Sequence, residues 1–124
     1  MRLASLSVIA IVDDDRAMRA ALCDLLEVEG FRASAFAGGA QFLDRADAFD
    51  CVITDVSMPG IDGIALQRRL RARGSAIPVI FVTAIADPAT CACAMRDGAS
   101  AWLAKPVAEA ALFAALDAAL PRGG

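Results

Sequence analysis

Five side chains in this 124-residue chain could do chemistry together: Asp13, Asp14, Asp55, Thr83 and Lys105. Each closes or directly follows a short apolar run. Carboxylates brought close repel one another, so a cation must neutralise them. Oxygen donors of this kind suit a hard divalent ion, and Mg²⁺ (or Mn²⁺) needs few carboxylates because it keeps several waters. A carboxylate left partly free beside such an ion is a nucleophile toward phosphorus. Charge on a transferring phosphoryl group spreads over three oxygens, which call for a metal, an ammonium and a hydroxyl donor. Lys105 and Thr83 supply the last two. Without the ion, crowding of Asp13, Asp14 and Asp55 is expected to raise the pKa of at least one of them. The chain contains no histidine, which excludes histidine catalysis and histidine metal ligands.

Strand ends can gather such groups only if the strands lie side by side, and the apolar pattern provides them. Short β-rich runs at Ser7–Val12, Phe31–Phe36, Cys51–Thr54, Pro78–Val82 and Ala101–Leu103 alternate with helical patterns. The helices are predicted over Arg16–Glu29, Gly39–Arg45, Gly63–Arg73, Asp87–Arg96 and Glu109–Leu120. Met18, Leu22, Leu25 and Leu26 share one helical face, and Phe42 and Leu43 point inward from the second helix. On the third helix Arg68, Arg69, Arg71 and Arg73 occupy the face opposite Ile64, Leu66 and Leu70. Five strand–helix alternations predict an α/β fold, a doubly wound five-stranded parallel sheet with helices on both faces. Ligands of such folds bind beyond the carboxyl ends of the strands, where the five reactive side chains stand.

Composition narrows the rest. The length fits one domain over residues 1–120, with 121–124 as a tail or the opening of a linker. No apolar stretch is long enough to span a membrane, and the apolar start lacks a cleavage site before Asp13. A net charge of −3 without a basic run argues against direct nucleic-acid binding. Cys23, Cys51, Cys91 and Cys93 lack zinc-like spacing and are expected to be small buried hydrophobes of a reducing cytoplasm.

The motifs Val12-Asp13-Asp14-Asp15, Asp55 with Met58-Pro59-Gly60 and Asp62-Gly63, Val82-Thr83-Ala84, and Lys105-Pro106 resemble the receiver domain of two-component response regulators. The resemblance runs from Val8 to Leu120. It implies a flavodoxin-like sheet of order 2-1-3-4-5, with Asp55 as phosphoacceptor. Asp14, Asp55 and the Ser57 carbonyl would be direct Mg²⁺ ligands, with Asp13 holding a metal-bound water. Lys105 would contact the phosphoryl oxygen, Thr83 would be the switch hydroxyl, and Trp102 stands where the family usually has Tyr or Phe. The Lys105–Pro106 peptide would be cis. The implied donor is a sensor histidine kinase or phosphotransfer protein, chosen around Arg16, Ala17, Arg19 and Ala20. Such a domain is a signalling phosphoacceptor rather than an enzyme with an external substrate.

The stretch from Ala94 to Ala99, with Trp102 and Lys105-Pro106, resembles receivers that precede helix-turn-helix outputs of the LuxR and FixJ type. A phosphorylation-dependent homodimer is a further expectation, and a single-domain regulator remains the alternative. Two rival readings use the same residues. In one, Asp13-x-Asp15 resembles the first motif of haloacid-dehalogenase-type phosphatases, with Asp13 as nucleophile and Asp15 as acid/base. In the other, the domain is an interaction module without phosphorylation. Taken singly, Asp15 suits a helix N-cap, Asp62-Gly63 a turn, and Trp102 a packing role.

Overall fold

A computed structural model describes residues 7–120. The expected tail at 121–124 lies outside the described residues. The strands are β1 (Val8–Val12), β2 (Arg32–Phe36), β3 (Cys51–Thr54), β4 (Val79–Thr83) and β5 (Ala101–Ala104). Between and after them lie α1 (Arg16–Val28), α2 (Gly39–Leu43), α3 (Gly63–Ala72), α4 (Pro88–Arg96) and α5 (Glu109–Ala119). The strands pair in parallel in the order β2-β1-β3-β4-β5.

Burial explains which strands hold the centre. Every residue of β3 and β4 is buried, so both carry continuous apolar runs that suit a sheet covered on two faces. β2 alternates exposed and half-buried positions, as an edge strand does. One face of the sheet packs Ala10, Val12, Val52, Val79 and Phe81 against Leu66, Leu70 and Ala94 of α3 and α4. The other packs Ile9, Ile11, Ile53, Ile80 and Val82 against Leu22 and Leu26 of α1 and Leu112 and Leu116 of α5. Strand alternation sends neighbouring residues to opposite faces, and both faces are apolar.

Helix starts follow from local chemistry. The Asp15 carboxylate accepts from Ala17 N at 2.9 Å and caps α1. Asp87 caps α4 ahead of Pro88. Asp62 caps α3 by accepting from Ala65 N at 2.8 Å, so Asp62-Gly63 opens a helix and is not merely a turn. The second helix is shorter than its pattern: α2 stops at Leu43 and a 3₁₀ turn follows at Ala46–Ala48. There Phe36, Phe42 and Phe49 meet with ring centroids 5.6–5.9 Å apart, and their packing overrides helical continuation.

Two departures concern polar residues. Arg71 and Arg73 turn back to donate to the carbonyls of Ile77 (2.8 Å) and Leu43 (2.9 Å), so half of the arginine face of α3 ties down loops. Cys51 alone among the cysteines is fully buried, and its thiol is pushed up to about 12 by that burial. Cys23, Cys91 and Cys93 are only half-buried, because α1 and α4 show those positions partly to solvent.

Gln67 is fully buried between α3 and α4. Its amide donates to Ala94 O at 3.3 Å, while Oε1 has no partner among the described residues. Ala94 O also accepts from Ala99 N at 3.0 Å and keeps a partner if Gln67 is lost. Gln67→Met should therefore leave urea-unfolding stability within about 1 kcal/mol of wild type or raise it. Leu70→Ala, which empties a fully buried position, should cost about 2–5 kcal/mol in the same measurement.

Candidate functional site

The parallel ladder delivers the reactive residues to one edge. Asp55 N donates to Val12 O at 3.1 Å, carrying the β1–β3 pairing one step past the strand and setting Asp55 beside Asp13. Lys105 N donates to Thr83 O at 2.9 Å and extends β4–β5 in the same way. The chain bends after each of these points, leaving the side chains at the rim. The Lys105–Pro106 peptide is cis, as expected.

Lys105 is the hub. Its ammonium donates to Asp55 Oδ2 at 2.7 Å and to Asp13 Oδ2 at 3.0 Å. Asp13 is 2% exposed and Asp55 8%, so both carboxylates are largely withdrawn from water and rely on partners within the protein. Asp55 Oδ1 accepts from Val56 N at 2.6 Å and faces Ser57 N at 3.4 Å. The two oxygens of Asp55 thus differ: Oδ1 is fixed by backbone amides and Oδ2 by a movable side chain.

Burial pushes the Asp55 carboxyl up, but bonds from Lys105, a weaker polar interaction with Thr83 and the Val56 amide outweigh it. The net pKa lies below the ordinary 3.8. A carboxyl raised by crowding is therefore not found at Asp55, because the lysine already serves as the neutralising cation. Burial lowers Lys105, yet its bonds to Asp55 and Asp13 prevail and hold it above 10.5.

Asp14 is exposed, and no described residue engages its carboxylate. No described backbone donor takes the Ser57 carbonyl. These two uncommitted groups follow Asp13 and Asp55 by one and two positions. Among the described residues no three acidic or thiol side chains gather closely enough to enclose a cation by themselves. A hard ion here would have to draw on carbonyl oxygen and water as well, a donor set that fits Mg²⁺.

The Thr83 hydroxyl accepts from Ile85 N at 3.2 Å and so ties the end of β4 to the loop leading into α4. Trp102 is half-buried on the same sheet face and packs on Phe81, with centroids 5.3 Å apart and planes at 38°.

Two contributors were missed in the sequence. Gly63 lies so close to the site that a Cβ there would stand 2.1 Å from Asp55 O. Arg19, expected to face a partner, donates from Nη1 to Asp13 O at 2.8 Å. The glycine after an acidic residue looked like a turn signal, and an arginine on an exposed helical stripe looked solvent-facing. Only a contact between separate elements distinguishes either.

The family model of the response regulator receiver domain matches residues 9–117, nearly the whole described region. The chain belongs to the response regulator receiver domain family. It is 41% identical over 114 residues to the transcriptional regulatory protein FixJ of Azorhizobium caulinodans, covering 90% of this chain and 54% of that protein. It is also 41% identical over 100 residues to the C4-dicarboxylate transport transcriptional regulatory protein DctD of Rhizobium meliloti, covering 79% of this chain and 22% of that one. The receiver thus spans about half of the FixJ protein it matches and less of DctD.

Among solved structures, full-length FixJ from B. japonicum superposes with a TM-score of 0.82 at 37% identity, over 93% of this chain and 60% of that one. The Vibrio cholerae chemotaxis protein CheY4 gives 0.85 at 26% identity, over 93% and 99%. The family and the sheet order agree with the resemblance in the sequence. The receiver's relatives include transcription regulators, and no described helix is long and apolar enough to cross a membrane.

Two outcomes follow from this geometry. Gly63→Ala must move backbone against backbone, so it should cost about 1–3 kcal/mol by urea unfolding and shift the NMR resonances of Asp55 and Val56. In metal-free buffer, the depressed Asp55 pKa adds stability that is present above 3.8 and lost as pH falls through the lower folded value. Thermal unfolding from about pH 5 to about pH 2 should accordingly show a shallower acid loss for Asp55→Asn than for wild type.

Proposed function

We propose that this receiver is a phosphorylation switch in which Asp55 takes a phosphoryl group from a sensor histidine kinase or phosphotransfer protein. The observation that carries the reading is the unequal treatment of the two Asp55 oxygens. With Oδ1 held by the Val56 amide, Oδ2 is the oxygen presented for attack. A bond forms between Oδ2 and phosphorus while the donor's phosphorus–nitrogen bond breaks, leaving the donor imidazole with the electron pair. Lys105 passes from Oδ2 to a phosphoryl oxygen and remains paired with Asp13. Asp14, Asp55 and the Ser57 carbonyl would hold Mg²⁺, with Asp13 reaching it through water. When bound, the ion neutralises the charge gathered around the phosphoryl group. Water attack on the same group returns the free aspartate, so the domain acts only on its own phosphate.

Readout begins at Thr83. The new group adds about −1.5 to −2 charge beside it. A Thr83 hydroxyl drawn toward that charge gives up Ile85 N, which frees the loop before α4. Trp102, packed on Phe81, lies on the α4-β5-α5 face that this loop borders. An indole is larger than the usual Tyr or Phe and enters the space that a moving Thr83 would leave less readily. The output is a phosphorylation-dependent homodimer or partner contact that controls transcription through a helix-turn-helix domain; the likeness to the transcriptional regulatory protein FixJ supports the transcriptional part. The receiver unit is taken as residues 1–120, with 121–124 as a C-terminal tail or the start of a linker, in a cytoplasmic regulator.

The phosphatase-like alternative needs Asp15 as acid/base, but that carboxylate is engaged in capping α1. Incubation with acetyl phosphate and Mg²⁺ should add one phosphate to wild type and none to Asp55→Ala, by intact mass. Beryllofluoride with Mg²⁺ should change Trp102 emission in wild type, with the change absent in Asp55→Ala and reduced in Thr83→Ala. Phosphate on Asp13, or modification unaffected by EDTA, would contradict the proposal.

A further inference from the structure

The buried Asp13 has three oxygens, and each has a different donor. Asp15 N binds Oδ1 at 2.9 Å, Lys105 binds Oδ2 at 3.0 Å, and the Arg19 guanidinium binds the backbone carbonyl at 2.8 Å. The carbonyl belongs to the peptide that joins Asp13 to Asp14. No other described group donates to it, since the β1 ladder ends at Asp13 N bonded to Phe36 O at 3.2 Å. Arg19 sits one turn into α1, a helix whose start is itself fixed by Asp15. The guanidinium therefore holds one of the two peptides that set where the exposed Asp14 carboxylate emerges, the other being held by the Asp15 N bond to Asp13 Oδ1.

We infer that Arg19 is a positioning residue for the cation site: it holds the Asp13–Asp14 peptide so that Asp14 and Asp13 address the same ion as Asp55. The inference rests on the reading of this acidic edge as a Mg²⁺ and phosphoryl site. It also makes a sign distinction. A positive side chain beside a cation site opposes the cation through space, so electrostatics alone predicts that removing Arg19 tightens Mg²⁺ binding. Positioning predicts the reverse, because loss of an outer partner that orients a ligand typically weakens metal affinity by about 10–100-fold.

The test is an NMR titration of the whole chain with MgCl₂, following the Asp14 and Ser57 amides in wild type, Arg19→Met, Arg19→Gln, Arg19→Lys and Arg16→Met. Urea unfolding of each variant runs in parallel, since a purely structural role would lower stability without moving the Mg²⁺ dissociation constant. Arg19→Met and Arg19→Gln should bind Mg²⁺ about 10-fold more weakly. Arg19→Lys, which keeps the charge and a donor, should fall between them and wild type. Arg16→Met, which removes an exposed charge one turn away, should bind at least as tightly as wild type. Folded neutral variants at Arg19 that bind as tightly as wild type, or more tightly, overturn the inference. Two neutral variants keep the test open if one fails to fold. Absence of Mg²⁺ binding by wild type would instead overturn the functional reading beneath it.

Discussion

Two carboxylates almost withdrawn from water cannot share a strand edge unless a positive charge sits between them, and Lys105 is that charge. Coulomb attraction grows as water is excluded, and so does the penalty for leaving either acid unpaired. The ammonium therefore settles several matters at once. It favours the ionised form of Asp55 and joins the end of β5 to the ends of β1 and β3. In the proposed switch, a phosphoryl group would compete for this same ammonium and would rearrange a network that is otherwise closed.

The sheet exists in the form needed to make that contact. Parallel pairing advances all strands in one direction, so their carboxyl ends lie along one rim. Extension of the ladder by single backbone bonds at Asp55 and Lys105 places each functional residue one step beyond a rigid strand. Close approach of α3 completes the rim. Gly63 lets the helix start against the Asp55 carbonyl, and the Asp62 cap begins it there.

Transmission away from the rim depends on weaker connections. Thr83 holds the Ile85 amide through its hydroxyl oxygen and also interacts with the Asp55 carboxylate, so it links the rim to the loop before α4. At the far end of α4 the ties are of another kind. Gln67 reaches Ala94 O, Arg68 reaches Asp97 at 3.2 Å, and Arg71 reaches Gly98 O at 3.2 Å, so the helix is fastened to α3 near its C-terminus. Its N-terminus is capped locally by Asp87, whose carboxylate accepts from Ala89 N and from the Thr90 hydroxyl. The end of α4 that follows the Thr83 loop is thus tied to α3 less firmly than its C-terminus.

Much of this was legible in the amino-acid sequence, because it depends on periodicity and residue type. Strand–helix alternation with apolar runs at Cys51–Thr54 and Pro78–Val82 sufficed for a doubly wound parallel sheet, and strand-end placement sufficed to select Asp13, Asp55, Thr83 and Lys105. Asp15 was recognisable as a cap from its place before a helix. Tertiary structure alone decided the pairings. Lys105 bridges two acids, Asp14 stands exposed, Gly63 abuts Asp55, and Arg19 turns inward to Asp13 O. The reason is range: a cap or an apolar stripe is fixed within a few neighbouring residues. A bond between Lys105 and Asp13, 92 positions apart, depends on how separate elements pack.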